Sequence, residues 1–163
     1  MQERPTSPPP PRSRYFEDYL PGMVLEFGAV RVDRDEVIDF ARRYDPQPFH
    51  VDEQAAERGA YGGLIASGWH TGSLMMRQLV EHYLSPAASL GSPGIDELRW
   101  LAPVRPGDTL TMRVTVLETR RSRSKPDRGL VRAKMEVLNQ RREVVMSMKA
   151  LNFTLCRPAP VAG

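Results

Sequence analysis

The stretch Thr109-Leu110-Thr111-Met112-Arg113-Val114-Thr115-Val116 decides the fold class. Leu110, Met112, Val114 and Val116 alternate with threonines and an arginine, and a period of two sets them on one face of a strand. The same alternation returns in Val131, Ala133, Met135 and Val137, set against Arg132, Lys134 and Glu136. A long last strand is expected over Val144 to Leu155, joined to the previous one through Asn139-Gln140-Arg141-Arg142. Upstream, Asp96 to Leu101 reads as a strand stopped by Pro103 and Pro106, and Met23 to Val32 as a first strand.

Helices fill the first half of the chain. Asp33 is a good N-cap with Glu36 three residues on, as in a capping box. Val37, Phe40, Ala41 and Tyr44 then recur at helical spacing until Asp45-Pro46-Gln47-Pro48 ends the run. Asp52 is expected to cap a short second helix that ends at Gly59. After the Gly-rich loop from Tyr61 to Ser67, Gly68 to about Leu84 has the composition of a more buried helix. Helices followed by an antiparallel meander define an α+β domain. One buried helix and long strands point to a sheet wrapped around that helix; the alternative is an open sheet with helices on one face.

The 163 residues suit a single domain. Five of the first eleven residues are proline, so 1–13 is expected to be a disordered Pro-rich tail, 14–157 the folded domain and 158–163 a flexible tail. Residues 120–142 hold nine Arg/Lys against Asp127 and Glu136, a balance of +7, while the rest of the chain sums to −4. This basic segment lacks the interleaved aromatics of a nucleic-acid surface, so no nucleic-acid partner is expected. A single cysteine, Cys156, makes no internal disulfide, and no Cys/His cluster has zinc spacing. No apolar run approaches the ~20 residues that cross a bilayer, and the N-terminus lacks a signal-peptide h-region. These features predict a cytoplasmic protein with no membrane partner.

Two stretches carry candidate chemistry. In Asp45-Pro46-Gln47-Pro48-Phe49-His50, the prolines stiffen a loop that can turn a carboxylate and an imidazole toward one water, a general acid/base pair. The plainer reading is a backbone-capping Asp and a surface His. In Gly62-Gly63-Leu64-Ile65-Ala66-Ser67-Gly68-Trp69-His70-Thr71-Gly72-Ser73, a glycine-bearing loop runs into a helix and presents free N–H groups at its positive end. Gly68 there admits a substrate carbonyl close to the main chain, where a donor stabilises a developing enolate. The plainer reading is a tight turn with close helix packing. His70 reads as a packed core histidine or a pocket-lining residue, and Met75-Met76 as core filler.

Together these stretches resemble the MaoC-like dehydratases, a hotdog-fold family that includes (R)-specific enoyl-CoA hydratases. The family signature is an Asp, any residue, Asn, Pro, an apolar residue and His, matched here by Asp45 to His50 with Gln47 in place of Asn. Gly68 to Leu74 is similar to the start of the family's central helix, and Ala102-Pro103-Val104-Arg105-Pro106-Gly107-Asp108 to its turn before the long strands. Tyr44 replaces a small residue, and Ser67 replaces a His often found before the glycine.

The resemblance implies a hotdog fold, with Asp45 and His50 as the catalytic dyad and the Gly68 N–H as the oxyanion donor. It also puts Ser73, Gln47 and Ser67 beside the substrate. The implied reaction is reversible hydration of a 2-enoyl-CoA to a 3-hydroxyacyl-CoA, without metal or redox cofactor, CoA being part of the substrate. An acyl-CoA thioesterase and a non-catalytic acyl-CoA-binding subunit are the alternatives. A homodimer or higher homo-oligomer is implied as well. From the charge pattern, Arg121 and Arg123 are candidate contacts for CoA phosphates at the mouth of the site, against the alternative of a solvated hairpin tip.

Overall fold

In a computed structural model of the chain, residues 10–159 are described. Five antiparallel strands form one sheet in the order β1-β3-β4-β5-β2: β1 (Val24–Arg31), β2 (Gly94–Trp100), β3 (Thr109–Arg121), β4 (Arg128–Leu138) and β5 (Val144–Leu155). The helices are α1 (Arg34–Tyr44), α2 (Pro48–Val51), α3 (Glu53–Arg58) and α4 (Gly68–His82). Asp33 accepts from the backbone N–H groups of Asp35 and Glu36 to start α1, and Asp52 accepts from Ala55 to start α3.

The alternating residues of β3, β4 and β5 send Val114, Val116, Val131, Ala133, Met135, Met146 and Met148 into one core, where they meet Met75 and Leu79 of α4 and Val37 and Ile38 of α1. Helix α4 touches both β1 and β5. Those strands are three spacings apart in the sheet, about 14 Å if it were flat. One helix about 10 Å across reaches both only because the sheet curls around it. This is the hotdog arrangement. Met76, next to the buried Met75, faces outward instead.

Three features depart from expectation. The prolines between Asp45 and His50 do not hold a loop: Pro48 opens the single helical turn α2, where its missing N–H costs nothing, and Asp52 N donates to Pro48 O at 2.9 Å. Arg120 and Arg121 belong to β3 rather than to the hairpin tip, with Arg121 paired across to Gly129. Within the predicted Pro-rich tail, Pro11–Ser13 forms a 3-10 turn leading to the buried Arg14; residues 1–9, and 160–163 of the other predicted tail, lie outside the described residues.

Strand β2 is the sheet edge, and it is bent. Its pairing with β5 shifts register between Asp96 and Arg99, where Glu97 adopts a left-handed backbone (φ 53°). Trp100, the last residue of this strand, comes to lie against the first turn of α4.

Candidate active site

Asp45 caps the C-terminus of α1, and its carboxylate has a partner on each oxygen. Gln47 Nε2 donates to Oδ1 at 2.7 Å and Ser67 Oγ donates to Oδ2 at 2.8 Å. Partial burial pushes the Asp45 carboxyl up, but these two donors and the neighbouring His50 outweigh it and hold it below its ordinary value.

His50 projects from α2 and is buried. Its Nδ1 lies 2.7 Å from the carbonyl oxygen of Ile65. A carbonyl only accepts, so Nδ1 carries a proton, and in the neutral ring the lone pair is on Nε2. That Nε2 stands 3.3 Å from Asp45 Oδ2. Ile65 N in turn donates to Phe49 O at 3.2 Å, tying α2 to the segment that leads into α4.

Ser67 is the N-cap of α4, its Oγ accepting from Trp69 N at 3.2 Å. Gly68 follows as the first helical residue, whose N–H has no partner within the helix. The reason for glycine here is space: a Cβ would overlap the Trp100 indole. Gly68, Asp45 and His50 open onto one cavity of about 630 Å³, whose other walls include Trp69, Trp100 and Val145. The cavity therefore holds an ionised carboxylate, an imidazole lone pair and a helix N-terminus, the parts that move a proton beside a stabilised oxyanion.

Gln47 lines the same cavity as Asp45, His50 and Gly68, whereas Ser67, expected beside the substrate, is fully buried behind it and reaches only the Asp45 carboxylate and the helix start. Ser73 does not join them. It lies on the exposed face of α4, where its Oγ donates to Trp69 O at 2.8 Å, because five residues of helix rotate the side chain some 140° away from Gly68. Arg121 and Arg123 do not reach the cavity either. With Leu130 and Phe153 they line a separate pocket at the far end of the sheet. Eight residues of β5 separate Phe153 from the cavity wall at Val145, about 26 Å of strand.

Trp100, Tyr61 and Val145 line the cavity without having been singled out in sequence. They come from separate elements, and no local motif joins them. His70 is buried and packs on Phe40 with ring centroids 5.0 Å apart, its Nδ1 lacking a partner among the described residues. Burial pushes its pKa down, against a weaker pull from Glu36. No group of three or more His, Cys, Asp or Glu side chains comes together as a metal set, and no helix is long and apolar enough to cross a membrane, among the described residues.

Comparison with known proteins agrees with this architecture. Residues 18–139 match the MaoC like domain. The crystal structure of a MaoC-like dehydratase from Rhodospirillum rubrum superposes with a TM-score of 0.84 at 40% identity, covering 90% of this chain and 100% of that one. A 3-hydroxybutyryl-CoA dehydratase of Methylorubrum extorquens is 33% identical over 108 residues, 66% of each chain. YdeM of Bacillus subtilis is 27% identical over 126 residues, 77% of this chain and 88% of that protein. The chain belongs to the MaoC-like family.

Proposed function

We propose that the protein catalyses reversible hydration of a 2-enoyl-CoA to a 3-hydroxyacyl-CoA, with Asp45 and His50 as its acid/base pair. Hydratase/dehydratase chemistry on a CoA thioester, and with it a lyase, follows from membership in the MaoC-like family and from the 33%-identical 3-hydroxybutyryl-CoA dehydratase. The assignment of the residues rests on one observation: His50 Nδ1–H is committed to Ile65 O, so the basic Nε2 faces Asp45 across 3.3 Å.

In the hydration direction a water on the cavity side bridges Asp45 Oδ2 and His50 Nε2, within hydrogen-bond reach of both. Asp45 orients it and Nε2 takes its proton as the oxygen attacks the β-carbon. The electron pair of the alkene moves through the α-carbon onto the thioester oxygen, which the Gly68 N–H holds as an enolate. The imidazolium, steadied by Asp45, returns its proton to the α-carbon. Dehydration reverses these steps.

Asp45→Asn and His50→Ala are each expected to slow crotonyl-CoA hydration by about 100-fold or more. Wild-type rates in both would overturn the dyad. Release of free thiol from acyl-CoA, without hydration, would assign the site to thioester hydrolysis, and tight ligand binding without turnover to a binding subunit.

A homodimer is part of the same reading. Trp69, Met76 and Val80 form an exposed stripe on α4, joined by the Trp69–Trp100 ring contact to the end of β2, whose Ile95 is exposed too, as is Leu101 beyond it. A second copy, pairing on the free side of β2, buries this surface. Ser73 lies on that stripe and so faces the second copy.

A further inference from the structure

The Trp100 indole lies against the start of α4 more closely than a packing wall requires. A Cβ on Gly68 would overlap Trp100 Nε1 and Cε2 and stand 2.7 Å from Cδ1. The Cβ position lies ~2.5 Å from its own residue's nitrogen, so Trp100 Nε1 falls within about 5 Å of Gly68 N. One oxygen about 2.9 Å from each nitrogen fits between two donors so spaced. Indole nitrogen only donates, and no acceptor pairs with it among the described residues. The ring is held edge-to-face by Trp69, with centroids 5.1 Å apart and planes at 76°. Both Gly68 and Trp100 line the cavity that contains Asp45 and His50.

We propose that the Trp100 indole N–H is a second donor to the thioester oxygen, acting with the Gly68 N–H. This rests on the hydratase reading above and adds a catalytic residue to it. As the enolate forms, negative charge gathers on that oxygen, and a donor already within reach of it strengthens as the charge grows. The helix start supplies one donor along its axis, and the end of β2 supplies the other from the side. Gly68 is then required twice, once to bring its N–H to the substrate and once to make room for the indole.

Trp100→Phe keeps an aromatic wall and removes the N–H. In the full-length protein it is expected to lower kcat for crotonyl-CoA hydration by about 10-fold or more, with KM within 2-fold and an unchanged Tm. Trp100→Ala is expected to lose the same factor in kcat and to raise KM as well. A Trp100→Phe enzyme within 2-fold of wild type in kcat would overturn the proposal, whatever Trp100→Ala does.

A second measurement needs no turnover. Acetoacetyl-CoA, a β-ketoacyl thioester, ionises readily at its α-carbon to an enolate with charge on oxygen, whereas butyryl-CoA does not. Trp100→Phe is expected to weaken acetoacetyl-CoA at least 5-fold in calorimetric titration and to leave butyryl-CoA unchanged. Equal effects on the two ligands would overturn the donor role. Failure of the wild-type protein to hydrate any enoyl-CoA, with this binding difference intact, would overturn the hydratase reading and leave the donor standing.

Discussion

Ser67 Oγ donates to Asp45 Oδ2 at 2.8 Å while accepting from Trp69 N at 3.2 Å. One hydroxyl therefore caps the central helix and fixes the carboxylate, so the start of α4 and the acid/base pair are set by the same atom. Ser67→Ala removes both roles. Loss of the cap is expected to cost about 1 kcal/mol of stability, read by chemical denaturation. Loss of the donor moves the Asp45 carboxyl up, since Ser67 is among the groups that hold it down. His50 and Asp45 must both be unprotonated on the acid limb of kcat/KM against pH, and the Asp45 step of that limb is then expected at higher pH than in the wild type. Ser67→Thr, which keeps the hydroxyl, restores both. An acid limb with a single proton step, unmoved in Ser67→Ala, would show that Asp45 ionisation does not govern the rate.

Gln47 holds the other carboxylate oxygen at 2.7 Å. It is longer than the Asn of the family signature and folds back on Asp45, because the backbone turns tightly between them, Gln47 N donating to Asp45 O at 2.7 Å. Gln47→Leu is expected to raise the Asp45 pKa in the same sense and to reduce kcat/KM by about 10-fold near neutral pH, the cost of one charge-assisted hydrogen bond. Gln47→Asn is expected to fall between the two. The pH dependence of crotonyl-CoA hydration checks both variants.

On the outer face of the sheet, Glu136 lies between Arg113 Nε at 2.9 Å and Lys134 Nζ at 2.7 Å. Burial pushes its carboxyl up, but Arg113 and Lys134 outweigh this and hold it below the ordinary value. A carboxyl depressed in the folded state stabilises it above the unfolded pKa, and that contribution is lost as pH falls through the folded pKa. Glu136→Gln is expected to lower stability at pH 7 by about 1–3 kcal/mol. Most of this belongs to Arg113, because Lys134 is 42% exposed and screened. Denaturation at stepped pH should show the difference from wild type shrinking toward zero on the acid side.

The exposed stripe of α4 predicts the state of assembly. Met76→Glu and Val80→Glu place charge at positions 45% and 56% exposed in one copy, which a self-associated face would desolvate. Each is expected to shift the protein from dimer to monomer in sedimentation velocity without loss of secondary structure. A wild-type protein that sediments as a monomer would overturn this arrangement.

Much of the fold was legible because alternation in a strand prints its buried face directly into sequence. The starts of β3 and β5 and the start of α4 agree with the period-two runs and the glycine before Trp69. The end of β3 was misjudged because Arg120 and Arg121 look like a solvated tip, although their backbone still pairs with β4. Proline hid α2, since the residue that stops one helix also opens another. Ser73 was misplaced because sequence does not tell which side of a buried helix faces the cavity. Asp45, Gln47, His50 and Gly68 were findable from a short motif and a glycine. Trp100 was not: it meets Gly68 from 32 residues away, across the edge of the sheet.

The left-handed residue Glu97 gives that edge a further meaning. A strand with a bulge carries one residue more than its neighbour, and the surplus decides which side chain leaves the strand on which side. Without that surplus, the register that pairs Asp96 with Lys149 would carry on to set Arg99, not Trp100, opposite Met146. The length of β2 is therefore as much a part of the pocket's chemistry as the identity of Trp100, and related chains are best aligned by counting through this bulge before their pocket residues are compared.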